Sequence, residues 1–440
     1  MMPNNLTEEL VSRISDSKNE PEWMLQHRLK CLKIFDETPE PEIGVDLSGL
    51  NLNDIDLYLD SEKKVTKNWN EIPKEIREDF EALDIPIDEQ AGLSGVGLQY
   101  DSELVYENLG MIFKNLGIVF MSLNEALRNE KYADMVREYF MKLVKPENYK
   151  YAALHGAVWS GGVFVYIPKG VSVSLPIQAY YRFNAPGAGQ FEHSIIIVDE
   201  GASLEFIEGC SAPKYNVANL HIGCVEFFVK KNAHLKYGSV VNWSKNMYNL
   251  TTKCLLAEEG AKIEWISGVF GCKTSVLCPK IILGGKNASL NYNGVTMADF
   301  SQDQNSGVRV EFLADNCTTH INSKSISQNG GKNVFRSFIK SSKDLLNCAS
   351  YTNCESLLLD SESSSDAIPN YEVYDGIEVS HEAKVGRVSA KKINYLATRG
   401  ISEEMAEKLV VCGFIDSVSS ELPFEYAQEM NKLIRQKVRK

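Results

Sequence analysis

The segment Glu200-Gly201-Ala202-Ser203-Leu204-Glu205-Phe206 recurs along the chain and decides its fold. Further copies begin at Lys231, Glu259 and Lys286, and a fainter copy begins at Asp315. The full copies contain a charged residue, Gly or Asn, a small residue, and then an aliphatic and an aromatic position flanked by polar ones. The small third residues of successive copies lie 31, 28, 27 and 29 residues apart. Regular self-similarity at such a period indicates stacked structural units.

Each copy of this pattern describes a turn followed by a strand. Gly or Asn tolerates the left-handed backbone of a tight turn, and the small residue after it fits a corner. The alternation of apolar and polar residues that follows is typical of a strand with one buried face. Such a strand cannot bury its apolar face alone, so neighbouring copies stack on it. The sequence therefore predicts a mainly β protein with a right-handed parallel β-helix core. A large β-sandwich is the alternative, because sandwiches also contain short strands at regular intervals.

Helical patterns lie on both sides of the predicted β-helix. Residues 1–150 are predicted as an N-terminal helical and irregular region, with apolar positions at helical spacing over residues 8–36 and 102–144. The β-helix core is predicted over residues 151–380, and a C-terminal helical region over residues 381–440.

The C-terminal region carries signals that start and stop helices. Ser389 and Ser402 are candidate caps, Gly400 and Gly413 are candidate terminators, and a last helix is expected after Pro423. Helices appended to a solenoid commonly cap its end. A surface on which a partner protein docks is the other interpretation.

Composition excludes several classes of partner. A net charge of −13 argues against nucleic acid, since phosphate binding requires a basic surface.

The first 30 residues have mixed charge and no apolar core, so no secretory signal is predicted. The longest nearly uncharged run, Tyr151–Pro168, contains a histidine and three glycines and would be a poor membrane span. Ten cysteines without a signal sequence indicate reduced thiols and a cytoplasmic location.

The spacing of the cysteines gives no familiar metal motif. No C-x-x-C pair occurs. Cys272 and Cys278, and likewise Cys348 and Cys354, are six residues apart, which is roughly 20 Å along an extended strand and too far to share one ion. No preformed zinc site is therefore expected.

No motif of an enzyme stands out. The double glycine in Trp159–Gly162 lacks the Gly-Lys-Ser/Thr ending of a phosphate loop, so a solenoid corner is favoured and no intrinsic ATPase activity is expected. A polysaccharide lyase or hydrolase on a β-helix would require an exported protein and carboxylates clustered on adjacent coils. Neither is visible in the sequence.

Seven stretches spread over nearly the whole chain match one family: Glu20–Met24, Asp46–Leu50, Gln99–Glu103, Ala157–Gly162, Gly189–Glu192, Ile207–Pro213 and Arg399–Glu404. In these stretches the chain resembles the SufB/SufD family, and in particular its SufB branch, the scaffold subunits of the Suf iron–sulfur cluster assembly machinery. The resemblance implies a β-helix between helical ends, in agreement with the repeat. It also implies an assembly scaffold rather than an enzyme.

The resemblance further implies a set of partners. The SufC ATPase would bind the C-terminal helices, and the β-helix would pair with SufD or with a second copy of this chain. A cysteine desulfurase with its sulfur carrier would supply persulfide sulfur. The iron–sulfur cluster would be held transiently and passed to apo iron–sulfur acceptor proteins. A reduced flavin, used in some relatives, is a further cofactor that the resemblance allows.

Three residues match positions at which the family is thought to hold the nascent cluster. Cys354 matches the essential cysteine, and clusters are held by thiolates. His381 and Glu382, expected just after the last strand, match a segment with plausible iron ligands. From the residues alone, Cys354 could equally be a small buried apolar residue, and the His-Glu pair could be a surface ion pair.

Five residues match positions proposed for sulfur acceptance and transfer. Cys210 matches the sulfur acceptor, which must be a thiolate that a carrier can reach. Arg182, Asn184, Trp243 and Lys253 match positions proposed to line a route inside the β-helix. Cations there would stabilise a migrating persulfide anion. Each could equally be a satisfied polar residue of the core.

The chain departs from the SufB pattern in places. Val241 replaces a Gln, Cys254 an Arg, and Asp303 a frequent His, while Ser380 replaces an acidic residue. Val385-Gly386 is more similar to SufD. A SufD-like structural partner that does not ligate a cluster is therefore the alternative function.

Overall fold

The structure is a computed structural model that describes residues 3, 5–41, 44–59, 66, 68–81, 93–101, 103–173, 175–419, 427, 430–434 and 438. The α-helices in these residues are α1 (Glu8–Ser17), α2 (Glu22–Glu37), α3 (Lys74–Glu81), α4 (Met111–Asn115), α5 (Leu123–Arg128), α6 (Ala133–Tyr139), α7 (Lys150–Val158), α8 (Ala390–Ala397) and α9 (Glu403–Ser419). Short 3-10 helices span Leu52–Asp54, Trp69–Glu71 and Pro146–Asn148. None of the described helices is both long enough and apolar enough to cross a membrane.

The strands are β1 (Gly95–Tyr100), β2 (Glu103–Leu109), β3 (Val119–Ser122), β4 (Val163–Ile167), β5 (Ile177–Arg182), β6 (Gly189–Gln190), β7 (His193–Val198), β8 (Ser203–Ser211), β9 (Asn219–His221), β10 (Cys224–Val229), β11 (His234–Asn242), β12 (Met247–Asn249), β13 (Thr252–Ala257), β14 (Lys262–Phe270), β15 (Thr274–Leu277), β16 (Lys280–Leu283), β17 (Ser289–Ala298), β18 (Asp303–Phe312), β19 (Thr318–Ser327), β20 (Lys332–Ser341), β21 (Cys348–Leu358), β22 (Ser364–Glu372) and β23 (Ile377–Arg387).

The chain winds into a solenoid, and two long sheets form its faces. The first sheet has the order β2-β1-β5-β8-β11-β14-β17-β19-β21-β23, and the second runs from β3 and β4 through β7, β10, β13, β16 and β18 to β20 and β22. Strand pairs along both sheets are parallel, except that β1 pairs antiparallel with β2 and β3 with β4. The prediction of a mainly β protein with a parallel β-helix core is confirmed, and the solenoid makes about eight turns.

The repeat builds the corner of each turn as its pattern predicts. The Gly or Asn position of each copy has a positive φ, the conformation that these residues tolerate; the residues are Gly201, Asn232, Gly260, Asn287 and Asn316. The small residue that follows is buried in every copy. The turns therefore stack corner on corner, and strands of successive turns stay in register.

The aliphatic and aromatic positions of the repeat form the interior of the solenoid. Phe206, Tyr237, Trp265 and Tyr292 are register partners on β8, β11, β14 and β17, and all are buried. The rings of Phe206 and Tyr237 stack with centroids 6.2 Å apart, and those of Tyr237 and Trp265 meet edge to face at 4.4 Å. This aromatic ladder fills one side of the lumen.

The N-terminal region differs from its sequence prediction in two respects. The helical pattern over residues 102–144 is wrong for Glu103–Leu109 and Val119–Ser122, which are strands that extend the two sheets. The helix predicted over residues 8–36 is two helices, α1 and α2, separated near Pro21. Edge pairing to the solenoid outweighed the local helical periodicity. Helices α1, α2 and α7 cover the outer face of the second sheet.

Helix α9 lies along the solenoid rather than over its end. Val411, Ile415 and Val418 of α9 pack on the outer face of the first sheet, against residues such as Val240 and Ile266. The interpretation of these helices as an end cap is therefore wrong for α9.

The caps and terminators of these helices behave differently from one another. The Ser402 hydroxyl accepts a hydrogen bond from the Met405 amide, as predicted for a cap. Ser389 precedes α8, but its side chain makes no capping hydrogen bond. Gly413 lies inside α9 rather than ending it. Much of the helix predicted after Pro423 lies outside the described residues.

Candidate functional site

Cys354 lies inside the solenoid near its C-terminal end. It is on β21, where alternate residues from Cys348 onwards face the interior, and it is 3% exposed. Burial raises the pKa of the Cys354 thiol to about 12, because a low-dielectric environment disfavours the thiolate. The thiol is therefore neutral until a cation compensates the charge of its deprotonated form.

His381 is on the neighbouring strand and faces this thiol. Its Nε2 lies 3.6 Å from Sγ of Cys354, and its register partner is Thr352. Burial lowers the pKa of His381, which favours the neutral imidazole with a free lone pair. The expectation that this histidine follows the last strand is wrong, because β23 continues to Arg387.

Glu382 does not join the pair. Adjacent residues of a strand point to opposite faces, and the side chain of Glu382 is 72% exposed, within 3.7 Å of Lys384. Of the three predicted cluster-binding residues, the structure therefore brings Cys354 and His381 together and directs Glu382 away from them.

The last turn of the solenoid is exposed. In the described part of the chain, β22 is paired only with β20, and β23 only with β21. Apolar side chains on and beside these strands are exposed: Ile368, Tyr371, Val373, Tyr374 and Val385. An exposed strand edge flanked by apolar side chains favours pairing with another chain. Cys354 and His381 lie directly beside this edge.

Cys210 lies several turns away, also in the interior. It is on β8 between Tyr181 and Val241 of the neighbouring strands, and it is 2% exposed. Burial raises the pKa of the Cys210 thiol well above its usual value, and the nearby carboxylates of Glu208 and Glu192 raise it further. In this conformation the residue is a thiol that a carrier protein cannot contact.

Lys253 makes a buried ion pair beside Cys210. Its Nζ donates to Oε1 of Glu208 at 2.6 Å, to the hydroxyl of Tyr237, and to Oγ of Ser239 at 3.3 Å. The two charged side chains are only 2% and 4% exposed. A cation is thus held inside the lumen by three oxygen ligands.

The other three predicted transfer residues lie around the same turns. Nη1 of Arg182 donates to Oγ of Ser211 at 3.2 Å. These two residues follow the lumen residues Tyr181 and Cys210, so they face out of the lumen, and the prediction that Arg182 lies inside the β-helix is wrong. Oδ1 of Asn184 accepts a hydrogen bond of 2.7 Å from the hydroxyl of Tyr215. Trp243 packs its ring 4.7 Å from that of His221, and its buried Nε1 has no hydrogen-bond partner among the described residues.

A row of small residues connects the Lys253 turn with Cys354, and the sequence prediction missed it. Starting at Glu208, successive register partners towards Cys354 are Ser239, Ser267, Gly294 and Ser323. Five strand spacings separate the two ends of the row, or about 24 Å. Each member lies two residues after the aromatic position of its repeat copy, so comparing longer copies would have found the row.

Comparisons with known proteins agree with the fold. The family model described as SUF system FeS cluster assembly, SufBD core domain, matches residues 181–414, and the model of the SufBD protein N-terminal region matches residues 105–179. An iron–sulfur cluster assembly SufBD family protein of Staphylococcus haemolyticus is 44% identical over 431 residues, covering 98% of this chain and 92% of the relative. Proteins of the same family from Staphylococcus epidermidis and Staphylococcus aureus match with the same identity and coverage.

Proposed function

The chain belongs to the SufBD family of iron–sulfur cluster assembly proteins, and on that premise we propose that it is a SufB-type scaffold. In this role it holds a nascent cluster, its cargo, and releases it to apo-proteins. The observation that carries the proposal is the approach of Cys354 Sγ to His381 Nε2, 3.6 Å apart beside the exposed end of the solenoid. A purely structural SufD-type partner does not require a thiol and an imidazole side by side at this place.

The chemistry of this pair suits a transient cluster. When iron binds, the Cys354 thiol loses its proton, and the resulting thiolate and the neutral His381 supply one sulfur and one nitrogen ligand. Two protein ligands are fewer than the four that hold a resident cluster, so the cargo can leave. A partner chain that pairs with the exposed edge would add ligands and cover the cluster. Glu382 is 72% exposed and would join only from the partner-facing side.

The row of small residues supports an internal path for sulfur from Cys210 to Cys354. Lys253 would stabilise a persulfide anion at the start of the row, and hydroxyls of Ser239 and Ser267 would donate hydrogen bonds along it. Asn184 and Trp243, whose ring is buried in the lumen cluster, would line its entrance. Arg182 is left out of this path, because it faces away from the lumen. Because Cys210 is 2% exposed, loading it with sulfur requires that the surrounding turns open or that a partner inserts into them.

Two surfaces suit the partners that the family implies. Tyr395, Met405 and Leu409 are exposed apolar residues on α8 and α9, and we assign this face to the SufC ATPase, which would hydrolyse the ATP. The exposed edge at β22 and β23 is assigned to SufD or a second copy of this chain. The sulfur donor is a cysteine desulfurase with its carrier. A reduced flavin stays a prediction from the resemblance.

We expect the Cys354→Ala variant to lose cluster assembly. Anaerobic reconstitution with iron and sulfide, in the presence of SufC, should give bound iron, acid-labile sulfide and a visible spectrum with the parent chain. The variant should retain only background, because the site loses its sole thiolate. Cys348→Ala is the matched control. Cys348 is on the same strand as Cys354, also faces the lumen, and is 4% exposed.

Equal loading of the parent and the Cys354→Ala variant would mean that another thiol ligates the cluster. If neither chain loads, the SufD-type role becomes the better account.

Alkylation tests the accessibility of Cys210. We expect iodoacetamide to leave Cys210 unmodified in the native chain and to modify it fully in urea, because the residue is buried and its pKa is raised. Peptide mass spectrometry measures both states. Rapid labelling of Cys210 in the native chain would show that the solenoid opens without a partner.

A further inference from the structure

A second group of metal-binding side chains lies outside the solenoid lumen. One ring nitrogen of His155, one ring nitrogen of His193 and Sγ of Cys224 all lie within 4.8 Å of one another, and all three residues are buried. Nε2 of His155 faces Nδ1 of His193. The two nitrogens are 3.0 Å apart. His155 is on α7, whereas His193 and Cys224 are register partners on β7 and β10. The group therefore joins an N-terminal helix to two turns of the β-helix.

Each imidazole is oriented through its other nitrogen. Nδ1 of His155 lies 2.8 Å from the carbonyl oxygen of Ile222. Because a carbonyl only accepts, Nδ1 carries the proton and the lone pair of Nε2 points towards His193. Nε2 of His193 lies 3.1 Å from Oε2 of Glu226. The other oxygen of Glu226 accepts hydrogen bonds from the backbone N–H of residues 143 and 144.

This arrangement is the one found around protein metal ions. A ligating histidine almost always donates its second N–H to a carbonyl or a carboxylate, which fixes the ring and its tautomer. Here one ring has a carbonyl and the other a carboxylate in that position. Nitrogens that each lie about 2.0–2.1 Å from one tetrahedral ion are about 3.3–3.4 Å apart. The two nitrogens are 3.0 Å apart, so a small separation of the rings would admit the ion.

We propose that His155, His193 and Cys224 bind a zinc-class divalent ion that fastens α7 to the solenoid. Two imidazoles and one thiolate are a ligand set that suits Zn²⁺, with water in the fourth position. The charges of the Cys224 thiolate and the Glu226 carboxylate balance those of the ion. This site is separate from Cys354 and does not depend on the proposed scaffold function.

The same contacts can be drawn without an ion. In that case a protonated Glu226 donates to Nε2 of His193, and Nδ1–H of His193 donates to His155. The sulfur of Cys224 takes no part in this hydrogen-bond chain. Cys224 therefore distinguishes the two arrangements.

The experiment uses the full chain, freed of metal with a chelator and titrated with Zn²⁺ against a competing indicator. We expect about one tightly held ion per chain, and replacement by Co²⁺ should produce the absorption of a thiolate bound to cobalt. The Cys224→Ser variant should lose both signals. Cys317→Ser is the matched control, because Cys317 is buried in the solenoid and its thiol donates to the backbone carbonyls of Gly285 and Asp315.

The Glu226→Gln variant keeps all three ligands and tests their orientation. Loss of the carboxylate partner should weaken zinc binding by about 10- to 100-fold. Zinc should also raise the melting temperature of the parent and the Cys317→Ser variant, but not that of Cys224→Ser, because an ion that binds only the folded chain stabilises it. Absence of zinc binding by the parent, or equal binding by Cys224→Ser, would overturn the proposal.

Discussion

Replacing Lys253 with Met should lower the free energy of unfolding by about 3–5 kcal/mol, because the change leaves the Glu208 carboxylate buried without its cation. The two side chains are 2% and 4% exposed, and their ion pair is 2.6 Å long. Oε2 of Glu208 already has no hydrogen-bond partner among the described residues. The remaining carboxylate would thus rely on few compensating contacts. Urea denaturation followed by circular dichroism measures the loss.

The double variant Lys253→Met with Glu208→Leu is the control. Replacing both members of a buried pair by apolar residues of similar volume is often neutral, so most of the lost stability should return. A double variant as unstable as the single one would contradict this explanation. The double variant should fold with the Lys253 cation removed from the lumen, so its cluster loading from persulfide also tests the proposed role of Lys253 in sulfur transfer.

Replacing Arg28 with Met should have an effect of the same size in the N-terminal region. Arg28 donates to both carboxylate oxygens of Glu20, at 2.8 and 2.6 Å, and to the carbonyl oxygens of Ala157 and Trp159 at 3.0 Å. The side chains of the ion pair are 0% and 1% exposed. Removal of the guanidinium leaves a buried carboxylate unpaired, which costs about 3–5 kcal/mol. Tryptophan fluorescence during urea denaturation should report it, since Trp159 packs against Arg28.

Arg13→Met is the matched control for this variant. Arg13 is an exposed residue of α1, and surface substitutions usually change stability by less than about 0.5 kcal/mol. If the Arg28→Met variant unfolds like the Arg13→Met variant, the buried ion pair does not hold the N-terminal helices to the solenoid. Limited proteolysis would show whether α1 and α2 are released first.

The two buried ion pairs lie in different parts of the molecule, so their variants test different proposals. Lys253 and Glu208 are in the lumen, on the path proposed for sulfur. Arg28 and Glu20 lie between the N-terminal helices and the end of α7, the helix that carries His155. Weakening the second pair should therefore disturb the proposed zinc site while leaving Cys354 and His381 in place.

The family resemblance predicted residues of the candidate cluster site, but not the direction of each side chain. Cys354 and His381 were both named as cluster ligands, and the structure places them 3.6 Å apart. Glu382 is predicted with them because His381-Glu382 matches one segment of the family. Adjacent residues of a strand face opposite ways, and the prediction had placed this segment after the last strand. The extent of β23, set by pairing with β21, decided the difference.

The His155, His193 and Cys224 group shows the limit of local spacing. These residues form no local metal motif in the sequence, because the three side chains come from a helix and two strands. His193 and Cys224 are 31 residues apart, which equals the spacing of Ala202 and Ala233 in the repeat. The period alone could have paired these two residues. The docking of α7, which depends on packing over the whole N-terminal region, supplied His155.

By itself, the sequence determined the β-helix, since a period of 27 to 31 residues with Gly or Asn at each corner leaves a strand that only a neighbouring copy can cover. It also determined that the aliphatic and aromatic positions of the repeat face the lumen, because alternation along a strand is a local property. Only the tertiary structure decided that residues 103–109 are a strand, that α9 lies along the solenoid, and that Cys210 is closed to solvent. These features depend on contacts between segments far apart in the chain, and their energies are not encoded in the periodicity of either segment.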